Sequence, residues 1–277
     1  MAFSKTMIKH PISNDLSAIS TAVSYTKERP LLKNSASELA GLLKIETVPP
    51  EEQEEYDLLL LYTEKGLQIQ LKHDKDARRP TTLHVDFLSA ALNYRREHGG
   101  GIKQSLARAV GIKPGVRPTI IDATAGLGKD SFLLASLGCN VTMIERSPLL
   151  AAILRDGLER ALASTVLQSD IKNRLHLLHG DASTLIAEIP AEERADTIYL
   201  DPMYPHKRKA ALNRLEMRII RMLVGDDTDA GQLLETALQY TKKRVVVKRP
   251  KGAPLLIDQP PSHMIKMKNS RYDVYMK

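Results

Sequence analysis

The sequence has little sulfur and few aromatic side chains. Its 277 residues include one cysteine, Cys139, and no tryptophan, and aromatic residues make up 4% of the chain. A single cysteine excludes an internal disulfide and a cysteine metal cluster. No grouping of histidines and carboxylates has metal-ligand spacing either, so no metal site is expected. The scarcity of aromatics argues against a surface that binds single-stranded nucleic acid by stacking.

Long apolar segments are also absent. No run of 18 apolar residues occurs, and the first ten residues lack the apolar core of a signal peptide. A cytoplasmic protein without a membrane span is therefore expected. The hydrophobic content of 43% is enough to fill a globular core. Lysine and arginine total 40 against 33 acidic residues, and this net charge of +7 favours a polyanionic partner.

The stretch from Thr119 to Asp130 predicts a strand, a glycine loop and a helix in succession. An apolar pair ends in Asp122, Gly126 and Gly128 follow two residues apart, and a helical run begins near Lys129. This is the opening unit of a nucleotide-binding α/β sheet, in which glycines let the backbone approach a ligand closely. Ser131 stands where the dinucleotide fingerprint has its third glycine, which weakens a nicotinamide or flavin interpretation.

Strands and helices alternate after Thr119, which predicts a parallel sheet with helices on its faces. The last two strands are joined by a short turn and predict a closing antiparallel hairpin. The predicted strands lie at 120–122, 140–144, 175–178, 197–200, 244–247, 264–267 and 272–275.

The first 84 residues predict a separate α+β lobe. It contains a short helix at 36–44, an acidic loop after Pro50, and a hairpin of strands at 56–62 and 67–71. Residues 85–118 form a helical connection, with a helix at 85–94 that is followed by three glycines. The predicted domains are therefore 1–84 and 85–277.

Acidic residues follow four successive strands of the predicted sheet, where open α/β sheets bind their ligands. They are Asp122, Glu145, Asp181 and Asp201. Glu145, at the end of the second strand, is placed to accept both hydroxyls of a ribose. Asp181, or the backbone amide beside it at Ala182, is placed to contact an adenine edge.

The segment that starts at Asp201 is the most specific of these sites. Pro202 makes the backbone rigid, and its carbonyl and the Asp201 carboxylate together are able to hold an exocyclic amino group. Tyr204 is placed to stack on the attached base. This arrangement predicts methylation of an amine.

Basic residues cluster on either side of the proposed site and predict contacts with the phosphates of folded RNA. The candidates are Lys207, Arg208, Lys209, Arg214, Lys248 and Arg249.

Three parts of the sequence together resemble class I S-adenosylmethionine-dependent methyltransferases. They are the block 122–130, the pair Glu145-Arg146, and the segment 200–207 (Leu-Asp-Pro-Met-Tyr-Pro-His-Lys). More narrowly, they resemble the ribosomal RNA small subunit methyltransferase J family. Residues 85–88, Arg95-Arg96, the glycines at 99–101 and the segment 243–250 are also similar to that family. Met203 replaces the second proline of the wider amine-methylase pattern.

The resemblance implies a fold, a reaction and a set of contacts. The fold is a Rossmann-like, mostly parallel seven-stranded sheet with a C-terminal antiparallel hairpin. S-adenosylmethionine would be the cofactor, S-adenosylhomocysteine the product, and the N2 amine of a guanosine in 16S rRNA the acceptor, in free RNA or the 30S subunit. The implied cofactor contacts are Lys129, Asp130, Glu145, Arg146, Asp181, Ala182 and Asp201.

Three other functions stay open at this level. An amine methylase acting on DNA adenine or on protein would use the same pocket motif. A non-catalytic RNA-binding assembly factor would keep the fold, although the intact glycine loop and Asp201 argue against it. A nicotinamide dehydrogenase would bind a different cofactor.

Overall fold

The computed structural model contains two β-sheets. It describes residues 19–72, 80–165, 171, 173–204, 215–225 and 227–277. None of the helices in this part of the chain is long and apolar enough to cross a membrane.

The smaller sheet has five strands in the order β2-β1-β3-β4-β5. These strands are β1 (Thr21–Tyr25), β2 (Glu46–Thr47), β3 (Leu58–Thr63), β4 (Gly66–Leu71) and β5 (Thr81–Leu83). The predicted hairpin is confirmed, because β3 and β4 pair antiparallel from Leu58–Leu71 to Thr63–Gly66. Helix α1 (Lys33–Leu43) begins three residues before the predicted 36. The acidic segment Pro50–Glu55 is a 3₁₀ helix and not the predicted loop.

The connection between the sheets contains helices α2 (Ala90–His98) and α3 (Ser105–Val110). The predicted helix start at Val85 is wrong by five residues. Asp86 forms a turn instead, since its carboxylate accepts the Leu88 N–H at 2.9 Å and its carbonyl accepts the Ser89 N–H at 3.3 Å. This turn leaves Val85 and Phe87 free to pack into the core.

The larger sheet has the seven strands that the sequence predicts. They are β6 (Ile120–Asp122), β7 (Val141–Glu145), β8 (Leu175–His179), β9 (Thr197–Leu200), β10 (Arg244–Pro250), β11 (His263–Lys266) and β12 (Ser270–Met276). Their order is β11-β12-β10-β9-β6-β7-β8. Strands β6 to β10 run parallel, whereas β12 is antiparallel to both β10 and β11.

Helices accompany this sheet in the described part of the chain. They are α4 (Lys129–Ser136), α5 (Pro148–Ala163), α6 (Ala182–Ala187), α7 (Leu215–Val224) and α8 (Ala230–Tyr240). The start of α5 follows the sequence signal, because the Ser147 hydroxyl accepts the Leu150 N–H at 3.4 Å and Pro148 occupies the first helical position.

One hydrophobic core connects the two sheets. It includes Leu60 and Ile69 of the smaller sheet together with Phe132 and Val141 of the larger one. Helix α5 bridges the sheets, since the Asp156 carboxylate accepts the backbone N–H of Leu67 in β4 at 3.0 Å. The domain boundary at residue 84 therefore crosses a shared core and stays a prediction.

Candidate active site

A cavity of about 390 Å³ lies at the carboxyl edge of the larger sheet. The parallel order of β7, β6, β9 and β10 brings the ends of these strands to one edge. Most of the sequence-predicted site residues line the cavity: Asp122, Gly126, Lys129, Asp130, Glu145, Arg146, Asp181, Ala182, Asp201, Pro202 and Lys248. Gly128, Tyr204 and Arg249 are described by the structure but do not line it. The four candidates Lys207, Arg208, Lys209 and Arg214 lie outside the described residues.

The two loop glycines have different tasks. Both have positive φ angles, +55° at Gly126 and +68° at Gly128, which side chains rarely adopt. A Cβ atom on Gly126 would meet no atom within 4 Å, so this glycine borders open space. A Cβ on Gly128 would lie 2.8 Å from Leu154 and 3.0 Å from Phe87. Gly126 therefore leaves room for a ligand, and Gly128 allows the loop to pack on the core.

Glu145 is buried behind the glycine loop. Its Oε2 accepts the Gly126 N–H at 2.8 Å, and its Oε1 accepts the Ser147 N–H at 2.8 Å. Burial raises the pKa of Glu145 to about 7, although these two hydrogen bonds and Arg146 favour the ionised form. The carboxylate holds the loop in place and borders the cavity.

Asp122 is buried beneath the same loop. Its carboxylate accepts a hydrogen bond from the Ser131 hydroxyl at 2.5 Å and another from the Thr124 N–H at 3.2 Å. Burial raises the pKa of Asp122 to about 7. Ser131, which replaces the third glycine of the dinucleotide fingerprint, thus stabilises the buried Asp122 carboxylate.

Asp130 is the centre of a polar network on the cavity wall. Its carboxylate contacts Arg95 Nη1 at 2.9 Å, Lys248 Nζ at 3.2 Å and the Tyr199 hydroxyl at 2.9 Å. Burial alone would raise the pKa of Asp130, but Lys248 and Arg95 hold it below its ordinary value. The same Lys248 Nζ lies 2.7 Å from Asp201 Oδ2.

Arg146 closes the other side of the cavity. Its guanidinium pairs with Asp227 and, at 3.0 Å, with Asp229. Asp227 also accepts the backbone N–H of Met203 at 2.5 Å. Burial raises the pKa of Asp227, with Arg146 opposing it. Asp227 therefore connects Met203, which follows Pro202, with Arg146, which follows Glu145.

The Asp181 side chain acts as a helix cap. Its Oδ1 accepts the Thr184 N–H at 2.8 Å and the Thr184 hydroxyl at 3.0 Å, at the start of α6. One carboxylate oxygen is thereby used by the cap, and both Asp181 and Ala182 border the cavity.

The catalytic candidates directly follow β9. The Asp201 N–H donates to the Thr124 hydroxyl at 2.6 Å, which joins this segment to the glycine loop. Partial burial raises the pKa of Asp201, with Lys248 opposing that shift. The guanidinium carbon of Arg249 lies 4.8 Å from the centre of the Tyr204 ring.

Sequence reasoning did not assign a site role to several residues that line the cavity, among them Arg95, Thr124, Tyr199, Asp227 and Asp229. Thr124 lies within the predicted loop and Tyr199 within a predicted strand. Tertiary packing brings Arg95, Asp227 and Asp229 to the cavity, and Arg95 has a signal in the sequence only through the family resemblance.

The charges that line the cavity favour a cationic ligand. Eight carboxylates and four cations surround it. No group of three metal-ligating side chains occurs within the described ranges. A small ligand with a positive centre and ribose hydroxyls fits this wall, and the volume lies within the range of about 300–1,000 Å³ typical of ligand sites.

Comparison with protein families and solved structures identifies relatives along most of the chain. A family model described as a putative SAM-dependent methyltransferase matches residues 43–277. A ribosomal RNA small subunit methyltransferase J from Desulfotalea psychrophila is 47% identical over 87% of this chain and 90% of its own length. The protein of the same name from Stutzerimonas stutzeri is 45% identical over 94% and 98%.

A crystal structure of a SAM-dependent methyltransferase from Neisseria gonorrhoeae has the same fold. Its TM-score is 0.68 at 35% sequence identity, and the match covers 92% of this chain and 95% of that one.

Proposed function

The chain belongs to the ribosomal RNA small subunit methyltransferase J family of SAM-dependent methyltransferases, and we propose that it methylates the N2 amine of one guanosine in 16S rRNA. The family makes it an enzyme with S-adenosylmethionine as cofactor. The observation that supports the acceptor is the position of Asp201 and Pro202, which border the same cavity as Glu145 and Gly126.

The residues present fit the cofactor. Glu145 would accept the ribose hydroxyls, the open space at Gly126 would admit the ligand, and the excess of carboxylates would favour its sulfonium charge. When bound, S-adenosylmethionine supplies a methyl group on a positively charged sulfur.

Asp201 and Pro202 would orient the acceptor amine. The Asp201 carboxylate and the Pro202 carbonyl accept its two N–H bonds, which directs the nitrogen lone pair toward the methyl carbon. The bound cofactor would supply the methyl group for the new C–N bond and would keep the electron pair of its C–S bond. The methylated amine then loses one proton, for which Asp201 is the nearest acceptor.

The substrate form and location are parts of the same proposal. The acceptor is 16S rRNA, free or within the 30S subunit, and such a substrate places the enzyme in the cytoplasm. The basic residues after Pro205 would contact RNA phosphates.

The proposal is tested by methyl transfer from labelled S-adenosylmethionine. The acceptors are 30S subunits and 16S rRNA from cells that lack this protein, with duplex DNA as the control. We expect label in 16S rRNA that is recovered as N2-methylguanosine after digestion. Label on DNA alone would replace the proposal with an adenine methylase. Cofactor binding without label on any of these acceptors would indicate an enzyme with another acceptor, and absence of cofactor binding would favour an assembly factor.

We expect cofactor affinity to rise with pH through about 7. The free-enzyme pKa of Glu145 is about 7, and the ionised form accepts ribose hydroxyls and favours the sulfonium, so binding lowers this pKa. Below pH 7, binding must then remove a proton, which weakens affinity by up to about tenfold per pH unit. Calorimetric titration with S-adenosylmethionine from pH 5.5 to 8.5 measures the slope.

The control for this pH dependence is Glu145→Gln. It keeps the size of the side chain but removes its titration, so a shallower slope is expected. Any pH dependence of affinity that remains in this variant comes from Asp122, whose pKa is also about 7, or from titration of the ligand itself. An unchanged slope in this variant would contradict the role of Glu145.

A further inference from the structure

Strand β10 lies beside the strand that ends in the catalytic candidates. It pairs parallel with β9, and the last pair in register is Val247 with Leu200. Lys248 follows Val247, and Asp201 follows Leu200, so these two residues come next to each other. The register places two consecutive cations of β10, Lys248 and Arg249, next to the segment 201–204.

Lys248 contacts two carboxylates at the cavity wall. Its Nζ lies 2.7 Å from Asp201 Oδ2 and 3.2 Å from Asp130 Oδ2. These contacts direct its ammonium to the cavity wall, although its side chain is 31% exposed. Lys248 holds Oδ2 of Asp201, and this contact fixes the orientation of the whole carboxylate, including Oδ1.

Arg249 contacts the far end of the segment. It is 4% exposed, it donates to the Pro254 carbonyl at 3.0 Å, and its guanidinium covers the Tyr204 ring at 4.8 Å. Cation–π contact of this kind fixes the plane of a ring. A residue buried to this degree is not available to a phosphate group.

We propose that Lys248 and Arg249 are positioning residues of the methyl-transfer site, where Lys248 directs the Asp201 carboxylate and Arg249 holds the Tyr204 ring. The charge pattern of the sequence predicts both as phosphate contacts, and the geometry assigns them to the reaction instead. This inference rests on the proposed function and identifies two further residues that serve it.

Lys248 also controls the ionisation of Asp201. Burial alone would lower the pKa of Lys248, but Asp201 and Asp130 raise it above its ordinary value, so the ammonium stays charged. The other groups that interact with Asp201 are mostly acidic. The titratable groups around this pair are Asp122, Asp130, Tyr199, Asp227, Tyr272, Arg95 and Arg146. Without the ammonium, Asp201 would therefore protonate at a higher pH.

The two roles differ in what a substitution changes. A lost phosphate contact raises KM for RNA and lowers the slope of log affinity against log salt by about 0.7–0.9. A lost positioning contact lowers kcat and leaves that slope unchanged. Turnover on 16S rRNA at several salt concentrations separates the two, and wild-type protein is measured in the same assay.

For Lys248→Met we expect kcat to fall about 100-fold, as misplaced reacting groups do. The acid limb of the kcat–pH profile should also move to higher pH. The salt slope should match wild type, and Lys248→Arg should recover part of kcat because a guanidinium is able to pair with both carboxylates. Arg249→Met should lower kcat, with partial recovery in Arg249→Lys. Lys266→Met, at an exposed position of β11, is the matched control.

A wild-type kcat and a reduced salt slope in Lys248→Met would overturn the inference and leave the proposed function standing. An unmoved acid limb would also overturn the role of Lys248. Absence of wild-type transfer to rRNA would overturn the proposed function, and this inference with it. If Lys248→Met does not fold, the test depends on Lys248→Arg. A folded Lys248→Arg protein that keeps only a trace of kcat, with an unchanged pH profile, would contradict the proposal.

Discussion

Replacement of Asp201 by alanine is expected to reduce kcat for methyl transfer by about 100-fold or more. The substitution removes a carboxylate that orients the amine and accepts its proton, and general acid–base and orientation effects are each of this size. Thermal stability should stay close to wild type, because Glu145 and the glycine loop keep their own hydrogen bonds.

Single-turnover transfer from labelled S-adenosylmethionine measures the chemical step for this variant. Asp201→Asn keeps one amide oxygen as an acceptor and should fall between wild type and the alanine variant. Asp258→Ala, at an exposed position, is the control for loss of one surface carboxylate. A kcat within a few-fold of wild type in Asp201→Ala would remove Asp201 from the mechanism.

Alanine at Gly128 is expected to destabilise the protein by about 3 kcal/mol. Positive φ costs an alanine about 1–2 kcal/mol, and overpacking of a core adds about 1–3 kcal/mol. The contacts responsible are Leu154 at 2.8 Å and Phe87 at 3.0 Å from the added Cβ. A fall in Tm of several degrees, measured by calorimetry, is the expected result.

Gly126→Ala provides the matched comparison two residues away. Its φ is also positive, but the added methyl meets no atom within 4 Å. It should cost about 1–2 kcal/mol of stability at most and should weaken cofactor binding, because the methyl enters the space that the ligand needs. Equal destabilisation by the two variants would contradict the different tasks of these glycines.

The sequence predicts those parts of the site that depend on strand ends. Glu145 and Asp201 follow apolar strands, and parallel strands in one sheet end at one edge, so local pattern alone brings them together. Local pattern also predicts the seven strands and the closing antiparallel hairpin, whereas the order of the strands within the sheet is known only from the structure.

Tertiary contacts decide the parts that sequence reasoning missed. Arg95 reaches Asp130 only because α2 packs near α4, and Asp227 reaches Met203 across 24 residues. The start of α2 was predicted too early because an aspartate turn at Asp86 overrides the helical apolar spacing.

Charge patterns are ambiguous for a related reason. A run of lysine and arginine indicates a surface, yet it does not distinguish solvent-facing cations from those that pair with carboxylates. The proposal for Lys248 and Arg249 depends on side-chain contacts that the charge pattern does not contain, namely the pairing of Lys248 with Asp201 and Asp130 and the packing of Arg249 on Tyr204.

Helix α5 has a mechanical consequence for the whole molecule. Its 16 residues span about 24 Å at 1.5 Å per residue. At its first turn the Ser147 N–H holds Glu145, and farther along Asp156 and Arg160 hold the backbone of Leu67 and Val85. The same helix thus anchors the small sheet through Asp156 and Arg160 and, at its other end, meets the carboxylate that holds the glycine loop. The small sheet and the glycine loop therefore share one supporting element.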